Sequence, residues 1–358
     1  MAIIDKPSDF FNTKLYTGNA GTNNITGVGF QPDWVWMKNR VSDYYHGLYD
    51  SVRGTGTSKS LNSNTNEAEG TNSSNLNLTS FNSDGFSLGS TSSTNVINTN
   101  SQNHVSWNWK AGTSFTNDAS ATGIGTIDST GSVSQEAGFS IISYTGNGTA
   151  NQSVAHGLGA TPKFIIIKPR SASGYWCVTN PRFVSVSDPN IMYLQLTGAE
   201  SDDTNINGTT APSSTVFGVD DYGAVNTNNQ TQIAYCFTPI QGYSAMGTYT
   251  GNGNADGAFV YTGFKPAWLM VKSTGSGGWI INDNKRSPHN ITGLTLYPNS
   301  TASEESYTGG ASEWDFLSNG FKNRDSGSAQ NASGTSYIYM AFAENPFVAS
   351  NFVPTTAR

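Results

Sequence analysis

The sequence predicts an all-β protein of three tandem homologous β-sandwich domains, jelly-roll-like in topology, and three observations carry that prediction. Apolar residues come in runs of four to six separated by Gly, Asn, Asp, Ser and Pro, with no apolar stripe at helical spacing longer than two turns. One unit, marked by Tyr-Thr-Gly-Asn, recurs at Tyr16–Asn19, Tyr144–Asn147 and Tyr249–Asn252. The chain of 358 residues divides into three copies of just over 100 residues, the size of a sandwich of seven or eight short strands. An immunoglobulin-like topology is the alternative, and pattern alone leaves both open. The resulting order is an N-terminal arm (1–10), repeat one (11–112), a polar linker (113–137), repeat two (138–241), repeat three (242–347) and a C-terminal tail (348–358).

Within a repeat, Tyr-Thr-Gly-Asn lies where a strand runs into a turn, with Gly18, Gly146 and Gly251 supplying permissive backbone and Asn tolerating the left-handed region. A Pro follows each Tyr by 16 to 18 residues and opens a run that ends in Lys six positions later: Pro32–Lys38, Pro162–Lys168 and Pro266–Lys272. Both parities of this run are apolar, Trp34 and Trp36 on one face and Val35 and Met37 on the other, which marks a central strand covered on both sides. Proline suits its first residue, where the missing N–H is tolerated. The closing lysine is expected to lay its stem on the sheet and lift its charge to water. Arg53, Arg182 and Arg286 follow the Pro by 20 or 21 residues and are expected to pair with nearby carboxylates. Next comes an aromatic pair five apart around a polar turn: Phe81 and Phe86, Phe217 and Tyr222, Phe316 and Phe321. Val105–Trp109, Ile233–Phe237 and Ile338–Phe342 close the units; in the first, Val105, Trp107 and Trp109 face the core and Ser106 and Asn108 face water. The linker is small and polar, the composition of an exposed connector. Only Pro239–Tyr243 joins the second and third units, so those two are expected to lie close together.

Composition narrows the function. Charged residues make up 12%, the net charge is −7 and the pI is near 5.0, without any Lys/Arg cluster, which argues against a nucleic-acid partner. No run of about eighteen apolar residues appears, and the first residues lack a signal-peptide pattern, so neither membrane insertion nor Sec export is expected. Cys177 and Cys236 are too few for a disulfide framework or a structural zinc site and are expected reduced inside strands.

Catalytic patterns are missing. His46, His104, His156 and His289 share no repeat position and no metal-ligand spacing, and there is no nucleophile elbow, phosphate loop or dinucleotide fingerprint. His46 with Asp50 and the adjacent Asp202 and Asp203 read as solvated loop groups, and Asp220-Asp221-Tyr222-Gly223 as a turn. No enzyme activity, catalytic residue, metal or cofactor is therefore expected. Aromatic residues between the strand lysine and the repeated Arg, namely Tyr44, Tyr45 and His46, Tyr175 and Trp176, and Trp279, are contact candidates. Flat rings beside Asn, Asp and Ser stack on sugars, yet a position shared by all three units also suits a core strand. His156, in a His-Gly-Leu-Gly string present only in the second unit, is a further ligand-contact candidate.

The strings KPSDFFNTKLYTGN, GFSIISYTGNG with VAHGLGATPKFIIIKPR, and YIYMAFAENPF resemble repeat proteins of tailed bacteriophages, particularly marine and cyanobacterial ones, known as tail-fibre-like or virion structural proteins. The likeness spans residues 1 to about 347. It implies a virion surface protein, tail-associated and contributing to host attachment, assembled in the host cytoplasm, with other virion proteins and host surface polysaccharide as partners and a homotrimer as the favoured state. A capsid decoration protein is the alternative, since three homologous units in one chain can mimic a trimer. A glycan-degrading tailspike fits less well, because no carboxylate pair recurs at a fixed place.

Overall fold

Seven strands build the first unit in a computed structural model that describes residues 3–91, 94–306, 312–327 and 329–350. They are β1 (Phe11–Thr17), β2 (Asn23–Thr26), β3 (Trp34–Asn39), β4 (Gly47–Asp50), β5 (Leu78–Asn82), β6 (Gly85–Leu88) and β7 (Asn103–Trp109). An inner antiparallel sheet has the order β1-β7-β3-β4 and an outer one β2-β6-β5. First strand beside last, last beside third, and second beside penultimate is jelly-roll-like pairing; an immunoglobulin sheet would instead join the first two strands. The third unit repeats it, with Ser244–Thr250, Ser336–Pro346, Phe264–Ser273 and Trp279–Asp283 inside and Phe259–Tyr261, Gly320–Asn323 and Trp314–Leu317 outside. The protein is all-β, as the sequence predicts.

Side-chain alternation then decides where each face goes. Trp34 and Trp36 point into a central cluster, while Val35 and Met37 point the other way to meet Ile25, Phe86 and Leu88 of the outer sheet. Each unit therefore has its own sandwich core. The inner faces of all three sheets meet in one shared cluster, which holds Trp34, Trp107 and Trp109 of unit one, Phe164, Tyr235 and Phe237 of unit two, and Trp268, Met340 and Phe342 of unit three. Trp34 stacks on Tyr235 at 4.4 Å and Trp109 meets Trp268 edge-on at 5.6 Å, so aromatic contacts cross between units. Truncating one such buried ring to Ala costs roughly 3 to 5 kcal/mol, and rings shared this way tie the units into one body.

Several expectations change at this level. Ser106 and Asn108 are buried, because the outer sheet covers the face expected to be wet. Asn108 compensates by donating to the Asn12 carbonyl. The linker is not an exposed connector: Thr113–Asn117 (β8) and Ser129–Ser134 (β9) flank a helical turn and extend the inner sheet of unit two to seven strands. Alternating Ser, Thr and Val supply β-branched strand formers in this stretch, and Ile127 and Val133 reach the core of unit two. The aromatic pairs also need realignment. Phe81 faces Phe86 and Phe316 faces Phe321 across hairpins, but Phe217 pairs with Val154 as Phe86 does with Ile25, so Phe217 matches the second ring and Tyr222 lies outside the pattern. The N-terminal arm is docked: Ile4 enters the shared cluster and its N–H donates to the Gln241 carbonyl. Of the C-terminal tail, residues 351–358 lie outside the described residues.

The Tyr-Thr-Gly-Asn glycines act by close approach rather than by an unusual dihedral. None of the three has positive φ. A Cβ on Gly18 would lie 2.1 Å from the Thr99 carbonyl oxygen, and one on Gly146 or Gly251 would lie 2.4 Å from the corresponding carbonyl. The neighbouring Tyr hydroxyls of Tyr16, Tyr144 and Tyr249 donate at 2.7 Å to carbonyls of Ile97, Val225 and Gln330, always 81 residues onward.

Candidate functional site

The repeated polar residues meet at the seams between units. The backbone N–H of Glu69 donates to the carbonyl of Arg170, that of Glu200 to Thr274, and that of Glu304 to Arg40. Unit one thus grips unit two, unit two grips unit three, and unit three grips unit one, which closes a ring. Arg40 also pairs with Glu304 at 2.7 Å and Arg170 with Glu69 at 2.9 Å, whereas Thr274 at the matching place has no charge.

A ring at a repeated position strengthens each seam. The indole N–H of Trp176 donates to the Asn62 carbonyl at 2.9 Å, that of Trp279 to Tyr193 at 3.1 Å, and His46 Nε2 donates to Tyr297 at 2.9 Å. His46 can do so because its Nδ1 accepts from Trp36, which leaves the proton on Nε2. Burial holds this imidazole well below its ordinary pKa, with Lys38 adding to the effect, so it is neutral. The three backbone N–H groups of His46, Trp176 and Trp279 are capped by Asn64, Gln195 and Asn299.

Beneath the seams lie buried ions. Asp50 binds Arg53 and also accepts from the Tyr235 hydroxyl of unit two at 2.7 Å. Asp283 binds Arg286 and accepts from Trp107 of unit one at 3.0 Å. The third seam has Asn180 where the others have Asp, Met340 where the others have Tyr or Trp, and Arg182 partly exposed on Glu200. The carboxylate is thus lost together with its donor, as expected when a buried charge left without partners would cost several kcal/mol.

Lys38, Lys168 and Lys272 do not reach water. All three are buried, and each Nζ donates to the carbonyl of the next residue, at 3.0, 2.9 and 2.7 Å. Lys38 and Lys168 also donate across a seam, to Thr301 at 3.0 Å and Asn66 at 3.4 Å. The same seams that bury the aromatic rings close over these ammonium groups. Desolvation lowers Lys38 and Lys168 to about 7 and Lys272 to about 8.

Among the contact candidates, His46, Trp176 and Trp279 are sealed inside seams, so the shared position serves the interior and offers no ring to a surface ligand. His156 is also buried: its Nε2 donates to the Ser213 carbonyl, its Nδ1 accepts from Leu158, and burial lowers it to about 4. Its role is to fix a loop. Tyr44 and Tyr45 are half-buried, Tyr44 against the sandwich core of unit one. Cys177 and Cys236 are free and buried in strands, their thiols pushed up by desolvation.

What faces solvent differs between units. Tyr175 is exposed between two hollows of about 390 and 440 Å³ at the seam of units one and two. Phe259 and Tyr261 project from an edge strand of unit three. A hollow of about 620 Å³ lies against β8 and β9. Its carboxylates Asp118 and Asp128 already accept backbone N–H groups, and Tyr144, the one aromatic side chain in its lining, is buried. Among the described residues no group of three or more His, Cys, Asp or Glu could hold a metal, and no helix is long and apolar enough to cross a membrane.

A family described as Domain of unknown function (DUF7483) matches residues 6–346. No curated protein and no solved structure matches the chain.

Proposed function

Since this chain belongs to the DUF7483 family, whose match takes in all three units, we propose that it is a structural protein of a tailed-phage virion surface, tail-associated and contributing to host attachment. One observation carries the reading: the same backbone and ring hydrogen bonds recur at all three seams, with ion pairs across two of them, and hold the ring together, while the outward groups vary from unit to unit. That division suits a rigid scaffold displaying individual recognition loops, and among the described residues it leaves no repeated reactive group at the surface. The low charge and Asn/Ser/Thr-rich loops suit a particle that must not bind non-specifically. The likeness of the strings around Tyr16, Tyr144 and Phe342 to phage repeat proteins supplies the virion context.

Capsid decoration is a second reading, favoured by the ring itself. One chain whose three seams share the same backbone hydrogen bond presents near-threefold symmetry and could cap a local threefold position of a head. Gold-labelled antibody on purified particles separates the two. Label on the tail supports attachment, label on the head supports decoration, and particles free of the protein would overturn both.

A further inference from the structure

We propose that the seam between units one and two carries a binding site for a neutral oligosaccharide centred on Tyr175, an inference that rests on the attachment reading and gives it a ligand class. The two hollows there share Tyr175 and Asn66, so ring and amide stand between them. Tyr175 is 38% exposed. It is braced by Tyr193, 5.0 Å away, whose hydroxyl is fixed on Asp203 at 2.9 Å. A ring held this way presents a flat apolar face at little entropic cost, the surface on which a pyranose stacks.

The second observation concerns amides that line the hollows. Gln195 is only 8% exposed; its Oε1 accepts from the Trp176 N–H, and its Nε2 has no partner among the described residues. Gln230, lining the other hollow, has an Oε1 without a partner among the described residues. Buried polar groups are nearly always paired, so one spare donor and one spare acceptor flanking an exposed ring point to a ligand rich in hydroxyls. Units one and three place the shorter Asn64 and Asn299 at the Gln195 position, and unit three has Gly278 where Tyr175 stands. The combination of Tyr with Gln therefore occurs once. Glu67 on the rim, in a chain of net charge −7, disfavours an acidic sugar.

Isothermal titration of the full chain with chitotetraose and maltotetraose as neutral probes, and tetragalacturonate as the acidic one, tests the site. The expected result is binding of a neutral probe but not the acidic one, weakened about tenfold or more in Tyr175→Ala. Gln195→Glu, which keeps the oxygen that caps Trp176 and removes the free donor, should weaken it as well. Unchanged melting temperatures show that both variants fold. Failure of both neutral probes to bind, tighter binding of tetragalacturonate, or unchanged affinity in Tyr175→Ala overturns the site. Tail labelling without probe binding would discard the site and keep the attachment reading. Probe binding lost in Tyr175→Ala, with no label on particles, would keep the site and discard that reading.

Discussion

Replacing Asp50 by Asn measures how strongly the first two units depend on each other. The Asp50 and Arg53 side chains are fully buried, and Asp50 Oδ2 receives both the guanidinium and the Tyr235 hydroxyl. Asn keeps an acceptor for the Arg53 N–H but turns an amide donor toward two other donors. Breaking a buried pair costs roughly 3 to 5 kcal/mol, and since Glu69 still reaches Arg53 at 3.0 Å, the lower end, about 3 kcal/mol, is expected. Tyr235→Phe alone removes one hydrogen bond to a charged acceptor, about 1.5 to 3 kcal/mol. Because both changes act on one carboxylate, the double variant should fall short of additivity by about 1 kcal/mol or more. At about 2.1 cal/mol/K per residue, 3 kcal/mol lowers the melting temperature of the whole chain by about 4 °C, against about 14 °C for a unit of about 100 residues melting alone. Calorimetry of wild type, both single variants and the double variant supplies all of these values. A loss in Asp50→Asn below about 1 kcal/mol, or strict additivity with Tyr235→Phe, would refute the role assigned to this seam.

Stability should rise with pH between 7 and 9. Lys38, Lys168 and Lys272 have folded pKa values of about 7, 7 and 8, below the unfolded lysine value of about 10.4, so over that window the unfolded chain holds more protons. The penalty is complete only about a pH unit or more below 7 and is relieved as pH rises, at about 1 to 3 kcal/mol per pH unit; a urea midpoint that is flat or falls from pH 7 to 9 contradicts this. Gly18→Ala, whose Cβ would meet the Thr99 carbonyl at 2.1 Å, should destabilise by about 3 kcal/mol, and a thermal melt unchanged within error would remove the close-approach argument. Cys177 and Cys236 should resist a thiol reagent such as dithionitrobenzoate in the native protein and react once it is unfolded; rapid native labelling would show that these strands open.

Much of the fold was legible because it rests on local signals. Pro before a doubly apolar run marked the central strand, and the alternation of Trp34 and Trp36 with Val35 and Met37 divided its two faces correctly. What the alternation did not show is that the Trp face belongs to a core shared by three units, because periodicity reports burial but not its partner. The same gap explains Lys38, which follows the pattern of a strand-end lysine yet ends beneath the Thr301 carbonyl of a segment 263 residues away. The linker misled by composition: Ser and Thr read as solvated connector, but they alternate as an edge hairpin does. Of the aromatic candidates, a shared repeat position signalled the interior in His46, Trp176 and Trp279. Tyr175, one residue before Trp176, was visible as an aromatic, but its exposure depends on a seam formed with Asn66 of another unit.

The common aromatic core and the three seams, alike in their backbone hydrogen bonds, should make the three repeats a single cooperative body. Differential scanning calorimetry of the intact chain tests it by comparing calorimetric with van't Hoff enthalpy. One transition with a ratio near one is predicted. Separate transitions, or a ratio approaching three, would mean that the repeats melt as independent domains and that the ring does not bind them together.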